Sequence, residues 1–215
     1  MKNIVITGTP LLINESLWAA GMAIISQCYS LRGIEAVAAQ NISSTISNVF
    51  NVVFLSMGNV IGIMVGQLLG ANKMEEAKDT DRKLIFFSIM SCLVIGTIMA
   101  FVSPAFPAIY KTEQIVKDYA TSFLRIAALV MPINAFSHAS YFTLRSGGKT
   151  IITFLFDSVF VWVVSIPVAY CLCHFTRIGI VYVVLICSLM ELFKCCIGFI
   201  LVKKGVWLHN IVNDK

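Results

Sequence analysis

Residues 46–69, ISNVFNVVFLSMGNVIGIMVGQLL, run without one charged side chain. At about 1.5 Å rise per residue, such a helix crosses the roughly 30 Å hydrocarbon core of a bilayer. Working outward, comparable apolar runs occupy 10–30, 84–109, 119–144, 151–173 and 178–202. These runs are apolar on both faces, unlike the alternating segments of a membrane barrel, so helices are expected throughout. The sequence thus predicts an all-α polytopic membrane protein, a single bundle of six transmembrane helices over residues 1–215.

Composition agrees: 58% of residues are hydrophobic and 13% charged, about half the charge of a soluble domain, which excludes a soluble globule. The net charge of +5 does not point to nucleic acid, because the basic residues lie singly or in pairs at the ends of apolar runs. The seven cysteines mostly fall inside those runs without metal-site spacing, so they are expected as small buried hydrophobes, with no metal or cofactor. An enzyme is not expected, since no His-Glu-x-x-His face or nucleophile with a base at a facing spacing is present. The opening stretch lacks a small-residue cleavage site, so the first span is expected to be retained.

Orientation follows from the basic residues, which cytoplasmic loops retain during insertion. One side collects Lys2, Lys73, Lys78, Arg82, Lys83, Arg145, Lys149, Lys203, Lys204 and Lys215, the other Arg32, Lys111, Lys117 and Arg177. Both termini are therefore expected in the cytoplasm, in a cell inner membrane. The second span carries Gly58, Gly62, Gly66 and Gly70, a four-residue repeat that lines one stripe and admits another backbone closely. Pro104 and Pro107 close the third span, while Pro132 and Pro167 fall within the fourth and fifth and permit bending.

Ionisable groups inside a span are costly unless paired or facing a cavity. By helical rise, Glu15 and Asp157 each lie roughly 8–10 Å inside the cytoplasmic boundary, and Asn134 reaches that level about 22 Å along its own helix. Lys194 comes to a similar depth, so Glu15, Asn134, Asp157 and Lys194 form an expected polar layer. Asp157 and Lys194 can equally be a packing ion pair. Glu191, three residues from Lys194, is expected to pair locally. Arg125 is expected to snorkel and His138 to pack.

Several of these stretches resemble one known family. Residues 10–21, PLLINESLWAAG, with 33–39, GIEAVAA, are similar to the seventh helix of MATE (multidrug and toxic compound extrusion) transporters. Residues 65–71, VGQLLGA, resemble the end of that family's eighth helix, and 119–126, YATSFLRI, with Pro132 and 144–147, LRSG, its tenth. The resemblance covers nearly the whole chain in order and implies the C-terminal lobe of a twelve-helix antiporter. It further implies export of amphipathic, often cationic small molecules in exchange for Na+ or H+. Glu15 matches the family's seventh-helix glutamate, while its tenth-helix acidic position falls at Asn134, which cannot titrate.

On that resemblance Glu15, Asn134 and Asp157 are the expected ion-coupling residues, with Trp18 and Tyr141 at the substrate cleft and the glycines shaping it. The expected partners are the lipid bilayer and either a missing N-terminal lobe or a second copy. A lipid-linked saccharide flippase on the same helical plan, and a non-functional truncated fragment, are the alternatives.

Overall fold

Helices stop in this chain where glycine, asparagine or proline intervenes, and the computed structural model, which describes residues 2–148 and 150–209, follows that punctuation. The order is α1 (Lys2–Ser30), α2 (Ile34–Gly70), α3 (Met74–Val102), α4 (Ala105–Ile109), α5 (Gln114–Ser146) and α6 (Thr150–Phe154). Two π-helical segments follow, Leu155–Val159 and Val161–Ser165, and then α7 (Ile166–Phe175), α8 (Ile180–Leu189) and α9 (Glu191–Lys203). Lys149 and Lys215, counted for orientation, lie outside the described residues.

Five stretches are long and apolar enough to cross a membrane: Ile34–Gly70, Met74–Val102, Gln114–Ser146, Ile151–Phe175 and Ile180–Lys203. At 29 residues α1 has the length as well. Its course is more polar, interrupted by Asn14, Glu15, Ser16 and Gln27.

The helices overrun the apolar segments. Well before position 46, α2 already begins, because Ser43, Ser44 and Thr45 donate to the carbonyls of Gln40 and Asn41 at 2.8–3.2 Å and so need no outside partner. Similarly, α3 starts in a charged stretch, where Glu75 and Glu76 sit in the first turn and favour the positive end of the helix dipole. Between the two, Asn72 takes a φ of 61°. The Lys73 amide donates to Leu68 and the Asn72 amide to Leu69, both at 3.0 Å, the paired bonds of a Schellman ending.

Packing centres on α5, which lies against α2 and α3. The ring of Phe142 and the imidazole of His138 occupy the glycine stripe: a Cβ at Gly58 would stand 2.7 Å from His138 and 2.8 Å from Phe142, and one at Gly62 3.0 Å from Phe142. Gly66 faces Ser146 at ordinary contact distance. Gly70, expected on the same stripe, has nothing within 4 Å, because the stripe passes the end of α5 before reaching it.

Pro132 leaves α5 continuous, and the carbonyl it frees faces α3. A proline cannot donate to the carbonyl four residues back, here Ala128. Gly96 abuts that oxygen, and a Cβ added there would stand 2.7 Å from it. The contact is tight because the opposing atom is backbone. Gly96→Ala is expected to cost about 1–3 kcal/mol of overpacking, read as an earlier thermal unfolding of the purified chain.

Pro167 acts differently. It lies at the start of α7, and the turns before it widen into the π segments, an adjustment that relieves a proline's clash with the preceding carbonyl. The far end of α7 is closed by Arg32, whose guanidinium donates to the Leu172 carbonyl at 2.7 Å and to the Thr176 carbonyl. A cation there satisfies the orphan acceptors and suits the negative helix end. Cys171 and Cys196 are exposed rather than buried as expected, since both lie on outward faces that lipid would cover.

Candidate functional site

Asn14 and Glu15 occupy successive positions of α1 and therefore point about 100° apart. Asn14 turns into the bundle and is 3% exposed, whereas Glu15 faces outward. The Ser158 hydroxyl donates to the Asn14 side-chain oxygen at 2.6 Å and lies 2.8 Å from its backbone oxygen, and the Asn14 amide donates to the Tyr141 hydroxyl at 3.4 Å. Three helices thus meet at one buried amide.

The π-helical stretch supplies both Ser158 and its neighbour Asp157, which turns to the other side. Lys194 of α9 donates to Asp157 at 2.8 Å and stands 3.8 Å from Glu191. Its ammonium also lies over the Phe156 ring, 5.4 Å from the centroid. Nearby, Cys195 is 3.1 Å from the Ser137 hydroxyl and donates to the Ile133 carbonyl at 3.3 Å. Of the four residues of the expected polar layer, Asp157 and Lys194 are in direct contact.

The expected site residues divide accordingly. Asp157 is engaged by Lys194, as the packing alternative anticipated, and Glu191 shares the same cation. Tyr141, expected at a cleft wall, is 6% exposed and belongs to the interior of the helix bundle. Asn134 is half-buried and makes no side-chain hydrogen bond among the described residues, so the amide in the network is Asn14 instead. Glu15 has neither an ion pair nor a hydrogen bond among the described residues, and Trp18, one turn on, is 40% exposed on the same face. His138 packs between Phe54 and Phe142, at ring separations of 5.4 and 5.0 Å. Arg125 is exposed, as expected for a snorkelling side chain.

Sequence reasoning missed Asn14, Ser158 and Asp81. The last is a 2% exposed carboxylate that accepts a 2.6 Å hydrogen bond from Thr143. Its signal was present: Ala77, Asp81, Ile85, Ser88, Cys92, Gly96 and Met99 follow one another at three- and four-residue steps and form the buried stripe of α3.

Among known proteins, three curated relatives align with most of this chain. They are the probable multidrug resistance protein NorM of Halalkalibacterium halodurans (22% identical, 83% of this chain, 39% of the relative) and the probable multidrug resistance protein YoeA of Bacillus subtilis (23%, 80% and 37%). The third is multidrug and toxin extrusion protein 1 of Pongo abelii (21%, 79% and 30%). The chain spans less than half the length of each. In solved structures the same helical arrangement recurs in a MATE protein in complex with MaL6 (TM-score 0.86, 17% identity, 95% of this chain, 46% of that one). It recurs also in a MOP superfamily transporter from Pyrococcus furiosus, described as having a binding pocket of reverse polarity (0.87, 17%, 95% and 46%). Residues 10–171 match the MatE family as a whole, and the chain is therefore an integral membrane protein belonging to that family.

Proposed function

We propose that this chain is the C-terminal six-helix lobe of a multidrug efflux antiporter, exporting amphipathic or cationic compounds in exchange for Na+ or H+. Glu15 carries the reading. It is a carboxylate well inside a helix, turned out of the lobe and free of any cation or hydrogen-bond donor among the described residues. Such a group can hold Na+ or a proton in turn, which a carboxylate locked to lysine cannot. Trp18 on the same face offers an aromatic surface to an organic cation. Asn134 and Asp157 contribute at most neutral or already paired oxygens.

Alternating access rocks one repeat against another around a midplane site. A lobe spanning under half of its relatives provides one wall, so transport requires a second lobe. The lobe sits in the cell inner membrane with both termini cytoplasmic, consistent with the side on which lysine and arginine collect.

The test uses cells stripped of their own drug exporters, expressing the chain alone or with an N-terminal lobe from a relative. Efflux of a fluorescent lipophilic cation is expected only when two lobes are assembled, and it should cease when ionophores collapse the Na+ and proton gradients. Dye retention unchanged by any combination of lobes would overturn the reading.

A further inference from the structure

A cavity of about 380 Å³ opens at the basic end of the bundle, between the first turns of α3, the end of α9 and the chain that follows it. Its rim carries Lys78, Arg82 and Lys203, and its wall is apolar, with Ile85, Phe136 and Phe199. Lys78 is already paired with Glu75 at 2.7 Å. Arg82 and Lys203 are exposed and have no carboxylate within 4 Å among the described residues. Elsewhere on this face Lys73 is paired with Glu76 and Lys83 with Asp79, whereas Lys204 and Arg145, which do not line the cavity, have no carboxylate within 4 Å among the described residues. The one acid in the cavity, Asp81, is bonded to Thr143 at 2.6 Å and buried, so it does not reach out to either cation.

The floor is built rather than accidental. Trp207 is 2% exposed, and its indole donates to the Val202 carbonyl at 3.1 Å. Its backbone seats on Gly147, where a Cβ would stand 2.1 Å from the Trp207 oxygen. The segment after α9 is thereby pinned against the end of α5, and the cavity keeps its shape.

Two uncancelled cations above an apolar wall, at the level where the helices leave the membrane, have the polarity of a phospholipid: anion outside, hydrocarbon inside. We propose that this cavity binds an anionic phospholipid of the leaflet at the basic end of the bundle, with its phosphate between Arg82 and Lys203 and its first acyl methylenes on Phe136 and Phe199. Arginine supplies fixed donors suited to phosphate, and the lysine adds a point charge. Basic pockets between membrane helices bind acidic headgroups by this combination, each cation near the surface contributing to attraction.

Native mass spectrometry of the full chain in detergent, titrated with phosphatidylglycerol, phosphatidylcholine or glycerol 3-phosphate, tests the assignment. Phosphatidylglycerol is expected to bind at least tenfold more tightly than phosphatidylcholine, with no detectable retention of glycerol 3-phosphate. Arg82→Gln with Lys203→Gln should weaken phosphatidylglycerol about tenfold or more. Lys73→Gln with Lys83→Gln, which removes the same charge from outside the cavity, should change it less than threefold. Equal losses in the two double variants, or equal affinity for the two lipids, would overturn the site. Retention of glycerol 3-phosphate as strong as that of the lipid would also overturn it, in favour of a soluble anion. A far-ultraviolet circular dichroism spectrum matching the parent shows that each variant is folded, and Arg82→Lys, which keeps the charge, is expected to retain at least half of the lipid preference.

Discussion

Lys194→Met lowers the stability of the purified chain by about 3–5 kcal/mol, the cost of leaving a largely buried carboxylate without its cation. Lys194 is 8% exposed and holds Asp157 at 2.8 Å, with Glu191 at 3.8 Å. Removing the ammonium leaves Asp157, whose side chain is 16% exposed, without its cation and takes the neighbouring charge from Glu191. Methionine comes close to the volume of the side chain, so the loss reports the ammonium, including its place over the Phe156 ring, rather than volume. Thermal unfolding in detergent measures it, and the double variant Lys194→Met with Asp157→Leu should recover most of the difference, since an apolar pair of similar size often equals a buried ion pair. A single variant as stable as its parent would show that Asp157 does not depend on Lys194 and is available for another cation.

Glu15→Gln behaves in the opposite way. The residue is exposed and makes no ion pair or hydrogen bond among the described residues, so the change in stability is expected within about 0.5 kcal/mol. In an assembled two-lobe transporter, however, gradient-driven efflux of a lipophilic cation should fall at least tenfold, because glutamine neither titrates nor carries charge. Glu15→Asp should retain part of the activity. Undiminished efflux in the glutamine variant would remove Glu15 from coupling and favour a relative that moves lipid-linked saccharides without ion exchange. Together the two variants separate a charge that holds the helix bundle from one proposed to couple ions.

How much of this was legible beforehand depends on what each residue answers to. Bilayer thickness and hydropathy govern the spans, so residues 46–69 and the comparable runs around them sufficed to identify an all-helical membrane protein. Helix ends were misjudged at Ile34 and Met74 because polar side chains bonded within their own helix look, in sequence, like a loop. The glycine stripe was visible at Gly58 and Gly62, but only the end of α5 decides that Gly70 is idle. At the polar layer, depth alone ranked Asn134 beside Glu15, whereas azimuth selected Asn14, one position before Glu15 and turned inward. Rise per residue is readable from a sequence; which way each helix is rotated depends on its neighbours. Asp81 is the exception, since the stripe on which it lies was present in the letters.

The widened turns at Leu155–Val159 and Val161–Ser165 also set the phase of everything after them. A π turn is the way a helix houses one surplus residue without losing its axis. Deleting a single residue there would let the ordinary helix close up and swing α7 by about 100° about that axis. The Leu172 and Thr176 carbonyls would then leave the Arg32 guanidinium, although no residue touching it had changed. Length in this stretch is therefore under tighter constraint than chemical identity. When relatives are aligned across it, the two halves of the span are best matched separately, each from its own outer end.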